Sequence, residues 1–184
     1  VVNTYTTHNQ QAPSVDRAAD DTFMAAWQGA NHQDWDGWGV FAQCFGAAAT
    51  PVGDELQANT HFLDDQLAPA VALSPSGDAV VVWQSMGQDS SVYGVYGQLF
   101  TAGLPVYPEF RANSYVLSSQ HSPAAARSDS GTFVVVWASA GQDGSGEGVY
   151  AVLSTTGKVP GWDAIFADDF ETGDASRWSS VVGD

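Results

Sequence analysis

Short runs rich in valine, tyrosine, phenylalanine and tryptophan recur along the 184-residue chain, separated by glycine, serine and aspartate. Such runs are typical of β-strands joined by tight turns. In the middle of the chain, PAVALS from Pro69, the turn PSGD and AVVVWQS from Ala79 predict one hairpin. GVYGQLF from Gly94, the turn TAGL and PVYPEFRANS from Pro105 predict a second. No segment of useful length carries apolar residues at helical spacing, so the pattern predicts an all-β chain.

The pattern of the middle segment occurs three times along the chain. Aligning Trp27, Trp83 and Trp137 gives spacings of 56 and 54 residues. Further positions repeat at the same period: Asn3, Asn59 and Asn113; Pro13, Pro69 and Pro123; Gly39, Gly94 and Gly148; and the dipeptides Gln33-Asp34, Gln88-Asp89 and Gln142-Asp143. Several independent positions that repeat at one period indicate three copies of one structural unit.

The second strand of the later copies is continuously apolar, reading VVVW at residues 80–83 and again at residues 134–137. A strand without alternation is expected to be buried on both faces, as between stacked sheets. A four-stranded sheet repeated at this period predicts a β-propeller-like fold with three four-stranded antiparallel blades of about 54 residues. A β-trefoil and a β-prism are the alternatives, ranked lower because these valine runs need a flat sheet on each side.

The repeat also sets domain boundaries. It divides the chain into residues 1–7, a trailing strand of a preceding or closing blade; residues 8–62, 63–117 and 118–164, three blade repeats; and residues 165–184, an acidic and aromatic tail. Propellers have roughly four to eight blades, so three are too few for an ordinary ring. The start VVNTYTT has neither an initiator methionine nor a basic-then-apolar leader, so we expect part of a longer protein. Further blades of the same precursor, or another protein of an assembly, are the expected partners.

The charge balance narrows the classes of partner. There are 5 basic against 21 acidic residues, giving a net charge of -16. A surface of this sign excludes nucleic acid and anionic membranes as expected partners. The apolar runs are far shorter than the roughly 20 residues of a membrane helix, and the single Cys44 excludes an intramolecular disulfide. An acidic surface suits a secreted or surface protein.

The repeated unit resembles a known type of tandem repeat. Its motifs VNTYTT, QxxP and SGDAVVVWQSMGQDSSVYGVYGQLF are similar to a repeat family of large secreted and surface proteins of bacteria, over residues 1 to about 155. The segment IFADDFETGDASRWSS from Ile165 resembles a short C-terminal motif, FADGFESGDxSxW, of exported bacterial proteins. The resemblance implies an extracellular, cell-surface or periplasmic location and a propeller-like or solenoid scaffold. It carries no catalytic residues that can be transferred.

The Gln-Asp loops between the second and third strands are candidate calcium sites, because closely spaced carboxylates and carbonyls in glycine-rich loops supply the oxygen ligands that calcium takes. The candidate ligands are Asp34 and Asp36 in the first copy, Asp89 in the second, and Asp143, Ser145 and Glu147 in the third. A second acidic cluster in the tail contains Asp168, Asp169, Glu171 and Asp174. In the alternative interpretation, the aspartates and glycines of the loops only turn the chain. Calcium is the one cofactor that these residues suggest.

Two aromatic residues stand out in the first of these loops. Trp35 and Trp38 lie in DWDGWGVF, where the other copies have serine, tyrosine or glycine. Loop tryptophans beside acidic residues are typical of patches that stack on a sugar or fill a pocket of a protein partner. Local packing within the loop is the alternative.

These features together predict a non-catalytic extracellular module for structural or adhesive protein interaction, as an accessory part of a surface assembly. A carbohydrate-binding, lectin-like propeller that uses Trp35 and Trp38 is the alternative, and a glycosidase is third. Enzyme activity is not predicted, because the four histidines occupy non-equivalent repeat positions and the four arginines do not cluster. Two carboxylates for glycoside hydrolysis can be chosen from any set of 21 acidic residues, so their presence indicates nothing.

Overall fold

The computed structural model describes residues 1–30 and 36–154 in full, and the backbone of residues 164–166. Within this part of the chain every regular element is a β-strand and no helix is present. The strands form three separate four-stranded sheets, each antiparallel and each in chain order. The prediction of an all-β, propeller-like chain built from four-stranded antiparallel sheets is confirmed at this level.

The three sheets are numbered along the chain. Sheet 1 contains β1 (Gln10–Arg17), β2 (Phe23–Ala30), β3 (Trp38–Phe45) and β4 (Pro51–Gln57). Sheet 2 contains β5 (Gln66–Leu73), β6 (Ala79–Met86), β7 (Tyr93–Thr101) and β8 (Leu104–Arg111). Sheet 3 contains β9 (Gln120–Arg127), β10 (Phe133–Ala140), β11 (Glu147–Ser154) and β12 (Ala164–Phe166).

A tight turn joins the first two strands of each sheet. In sheet 2 the Ser74 N–H donates to the Asp78 carbonyl at 2.8 Å. The turn needs one residue in the left-handed region, and Gly77 (φ 89°) and the equivalent Gly131 (φ 83°) supply it without steric cost. Sheet 1 has Asp21 (φ 68°) at this position, one of the side chains that tolerate the left-handed conformation. The glycine of the predicted hairpin loop therefore supplies the left-handed backbone conformation that the turn requires.

Each first strand contains an irregular turn that ties it to the preceding sheet. Ala12, Ala68 and Ser122 have φ angles of 51°, 52° and 53°, and each precedes a proline. The Ala68 N–H donates to the Gln28 side chain of sheet 1 at 2.8 Å. The Ser122 N–H donates to the Gln84 side chain of sheet 2 at 3.0 Å. The same device thus crosses both interfaces between sheets.

Sheet 2 lies between the other two sheets, and its second strand is buried on both faces as the apolar pattern predicts. In residues 80–83, the odd-numbered side chains belong to a core with Met24 and Val40 of sheet 1. The even-numbered side chains belong to a second core with Phe133 and Val135 of sheet 3. The two cores are therefore both interfaces between sheets.

Buried polar pairs hold the connectors between sheets. Asn59, just after β4, donates from Nδ2 to Gln66 Oε1 at 3.0 Å, and its Oδ1 accepts the Val40 N–H at 2.8 Å. Asn113 and Gln120 repeat the first of these bonds at 3.2 Å between sheets 2 and 3. The repeated asparagine thus provides hydrogen-bond partners for buried backbone and side-chain groups that make no hydrogen bond between strands.

Residues 1–9 form a connector of the same kind and contain no strand. Asn3 donates to Gln10 at 3.3 Å, and the Thr4 N–H donates to Glu55 at 2.6 Å, so both bind sheet 1. The repeat alignment placed VNTYT in a fourth strand, but the motif lies beyond the strands because its side chains bond to the next sheet. That residues 1–7 complete another blade stays a prediction.

The sheets stack in succession and do not close into a ring. Strand β1 packs against β5, and β5 against β9, whereas β1 and β9 make no comparable contact among the described residues. A trefoil or a prism would bring all three units together around one axis, so neither alternative agrees with this arrangement. No helix in the described part of the chain has the length and apolarity needed to cross a membrane.

Candidate functional site at the loop end of the sheets

One end of the sheets gathers the described candidate residues. There the first and third strands begin and the second strands end, as the pairing of Ala30 with Trp38 shows, and we call it the loop end. It carries the connectors 58–65 and 112–119 and the loops 87–92 and 141–146. The predicted residues Asp34 and Trp35 lie outside the described part of the chain, as do Asp168, Asp169, Glu171 and Asp174.

The repeated aspartates of the loops close turns. Asp89 accepts the Ser91 N–H at 3.1 Å, and Asp143 accepts the Ser145 N–H at 2.9 Å, two residues further on in each case. Side-chain bonds of this kind define Asx turns. The second carboxylate oxygen of Asp89 accepts from Asn113 at 3.2 Å, which joins the loop to the connector. The aspartate that these two copies share therefore stabilises a turn of the loop.

The repeated glycine after these loops is needed for the same contact. A Cβ at Gly94 would collide with the Asp89 carboxylate and approach the Tyr96 ring to 3.0 Å. A Cβ at Gly148 would lie 2.8 Å from the Tyr150 ring. Burial, with the nearby Asp89 charge adding to it, raises the pKa of Tyr96 to about 12. The loop aspartate thus packs against the third strand instead of facing solvent alone.

Three aspartates, Asp36, Asp64 and Asp65, lie near one another between sheets 1 and 2. Asp36 accepts the Asp64 N–H at 3.4 Å, and Asp65 accepts the N–H of Trp38 at 3.2 Å. Gly37 (φ 75°) allows this approach, since a Cβ there would lie 2.5 Å from Asp65. Asp36 and Trp38 were predicted as site residues, whereas Asp64 and Asp65 were missed. The sequence feature that could have identified these two aspartates is a departure from the repeat, because the corresponding positions of the connector before sheet 3 are Ser-Ser.

A carboxylate, an imidazole and a hydroxyl follow one another in sheet 3. Glu147 Oε2 lies 3.2 Å from His121 Nε2, and His121 Nδ1 lies 3.1 Å from Ser122 Oγ. The His121 side chain is 31% exposed and that of Glu147 is 55% exposed, so both are open to a ligand. A carboxylate partner can orient an imidazole for proton transfer. Sequence reasoning assigned Glu147 to calcium and passed over His121, because no other copy has a histidine there.

The described candidate ligands do not assemble into a metal site. Within the described residues, no group of three histidine, cysteine, aspartate or glutamate side chains is placed to hold a metal ion. Each copy has its own loop, and the carboxylates there have other partners: Asp89 and Asp143 bond to backbone N–H groups, and Glu147 to His121. Calcium binding by the predicted residues stays a prediction.

Comparisons with known proteins find solved structures of similar fold. No family model and no curated protein matches the sequence. The chain is similar to the crystal structure of an endo-arabinase from Bacteroides thetaiotaomicron, with a TM-score of 0.50 and 14% identity over 80% of this chain. It is also similar to a thermostable family-43 glycoside hydrolase, with a TM-score of 0.56 and 10% identity over 93% of this chain. The match spans 57% of each of those chains, and at such identities it establishes the fold alone.

This likeness contradicts two sequence predictions, namely the non-catalytic structural or adhesive module and the absence of enzyme activity. The two solved structures named above are an endo-arabinase and a family-43 glycoside hydrolase. The prediction failed because it asked for clustered arginines and repeated histidines. Glycoside hydrolysis requires a pair of carboxylates, which need not follow a structural repeat.

Proposed function

We propose that this chain acts on carbohydrate as a glycoside hydrolase, with its substrate bound at the loop end. The likeness in fold to an endo-arabinase and a family-43 glycoside hydrolase carries the proposal. Arabinan, the substrate class of the first of these, is accordingly the first to test.

The chemistry available at the loop end supports this proposal. Hydrolysis of a glycoside needs a group that protonates the leaving oxygen and a second that acts as base or nucleophile. The exposed pair of Glu147 and His121 can exchange a proton, and the cluster of Asp36, Asp64 and Asp65 offers further carboxylates. The first strands of the sheets, β1, β5 and β9, are poorer in acids, since Asp16 is their one carboxylate and accepts the Leu73 N–H at 2.8 Å.

The test is release of reducing sugar from arabinan and from aryl arabinosides and xylosides. We expect turnover by the native chain, and a fall of about 10²–10⁴-fold in kcat for Glu147→Gln, the range measured when a proton-transferring group is lost. Asp129→Asn is the matched control, because Asp129 is an exposed carboxylate in the turn at the opposite end of the same sheet. No turnover with any substrate, or equal activity of both variants, would exclude this role of Glu147.

A carbohydrate-binding protein without hydrolysis is the second candidate. Trp38 supports it, because this partly exposed tryptophan begins β3 beside Asp65. Sugar rings commonly stack on such aromatic faces. Retardation by arabinan in affinity electrophoresis, lost in Trp38→Ala and accompanied by no product, would favour binding alone.

A further inference from the structure

Sheet 3 has an apolar face that no described element covers. It comprises Val134, Val136, Val149 and Leu153, which correspond to Val80, Val82, Val95 and Leu99 of sheet 2. The sheet 2 residues are almost fully buried because sheet 3 packs over them. Val149 is 53% exposed, whereas Val95 is 0% exposed. The difference in exposure shows how much of this face a following sheet would bury.

Sheet 1 has the complementary face, also without a described sheet against it. A cavity of about 350 Å³ lies there, lined by residues that include Pro13, Val15, Phe23, Ala25 and Trp27. In sheet 2 the same positions pack on sheet 1. Val15 is 66% exposed, whereas its equivalent Val71 is 7% exposed. The groove therefore lies where a preceding sheet would pack.

The two uncovered faces are of the same two kinds that pack against each other inside the chain. Sheet 1 meets sheet 2, and sheet 2 meets sheet 3, through the same pair of faces each time. The exposed face of sheet 3 is of the first type, and the grooved face of sheet 1 is of the second. An interface that is already built twice within the chain can therefore be built a third time between chains.

We propose that two copies of this chain form a closed ring of six sheets, in which sheet 3 of each copy packs on sheet 1 of the other. Three sheets are too few for a propeller and nine are too many, since rings have roughly four to eight blades. A pair of copies has six described sheets, a number that falls within this range. The match spans 57% of each similar solved structure, so both have chain beyond the matched part.

One polar contact distinguishes the interface between copies. The Gln28 and Gln84 side chains each accept an N–H from the irregular turn of the next sheet, from Ala68 and Ser122 respectively. In sheet 3 the corresponding residue is Ala138, which has no side-chain acceptor for Ala12 of a second copy. The interface between copies therefore lacks a hydrogen bond that both internal interfaces contain.

The first test is the mass in solution by sedimentation velocity and native mass spectrometry. We expect twice the 19.4 kDa of one chain, at about physiological salt because each copy carries a charge of -16. Val149→Glu buries an unpaired carboxylate in the interface and should raise the Kd of the dimer at least about 100-fold. Leu104→Glu, at a residue that is 62% exposed in an outer hairpin, is the control and should leave the dimer intact.

Mixing two variants tests the head-to-tail arrangement. Val15→Glu should also give monomers, yet its mixture with Val149→Glu should form dimers, because one of the two interfaces in that pair carries neither charge. Ala138→Gln should lower the Kd roughly tenfold by restoring the missing hydrogen bond. Circular dichroism of each variant verifies that the sheets remain folded.

Three results would overturn the closed ring. A native chain that stays monomeric at all concentrations would exclude the interface. A ladder of ever larger species would show head-to-tail contacts that do not close. A dimer unaffected by Val149→Glu would use another surface.

Discussion

The asparagine at positions 3, 59 and 113 shows how one residue acts differently as its burial changes. Asn59 is 2% exposed and bonds both the Gln66 side chain and the Val40 backbone. Asn3 is only partly buried and bonds to the Tyr5 carbonyl and to Gln10. Water can replace the lost partner at Asn3 but not at Asn59, so the same substitution should have unequal effects.

Asn59→Ala should lower the free energy of unfolding by about 2–4 kcal/mol, because it leaves the buried Val40 N–H and Gln66 amide without a partner. Asn3→Ala, the matched control in the first repeat, should cost less than about 1 kcal/mol. Urea unfolding followed by tryptophan fluorescence measures both. Equal losses in the two variants would show that burial does not set the strength of this pair.

The raised pKa of Tyr96 makes stability depend on pH in the alkaline range. The folded chain keeps this phenol neutral up to about pH 12, whereas an unfolded chain ionises it near about pH 10. Its stabilisation is therefore complete below about pH 10 and is lost as the pH rises towards 12. Tyr96→Phe should flatten this decline, and the fold accepts phenylalanine there because Phe41 holds the equivalent position in sheet 1.

Unfolding by urea at several alkaline pH values tests this dependence. Tyr107→Phe is the control, since Tyr107 is 61% exposed. An alkaline decline as steep in Tyr96→Phe as in the native chain would place its cause at another group.

At the scale of the element, the irregular turn of each first strand combines backbone strain with a contact between sheets. It places a residue other than glycine in the left-handed region in all three sheets, at a cost of roughly 1–2 kcal/mol each. In return, the N–H groups of Ala68 and Ser122 reach a glutamine of the preceding sheet. The strain is therefore coupled to the contact between sheets.

Ala68→Gly should raise the free energy of unfolding by about 0.5–1 kcal/mol, because glycine removes the strain and keeps the N–H that binds Gln28. Ala70→Gly, two residues along the same strand and outside the left-handed region, should lower it by a similar amount. Thermal and urea unfolding of the two variants give the sign directly. Destabilisation by both would mean that the turn at Ala68 carries no strain.

At the scale of the whole molecule, the three sheets form an open series, and the candidate site residues lie at its loop end. The loops between second and third strands and the connectors between sheets lie at this end. The aspartates Asp36, Asp64 and Asp65 and the pair of Glu147 and His121 therefore share one side of the molecule. The two uncovered faces lie at the ends of the series. Glu147 lies two residues before Val149 on β11 and on the same face of that strand, so the loop end adjoins the exposed face of sheet 3.

The candidate site could be predicted only in part. Asp89 and Asp143 were found because they repeat, and repetition proved to mark turn structure. Asp64, Asp65 and His121 were missed because they occur in one copy each and their partners are distant in sequence, as with the 26 residues that separate His121 from Glu147. A comparison of the repeats finds residues that the copies share, and it does not find site residues that occur in one copy alone.

The sequence by itself determined the strands, their hairpin order and the burial of residues 80–83 on both faces, because these follow from local periodicity, turn residues and a repeat near 54 residues. Only the tertiary structure decided that the sheets stack without closing, that VNTYT is a connector, and that Glu147 meets His121. Those outcomes depend on side-chain bonds between segments far apart in the chain, and no local pattern specifies such partners.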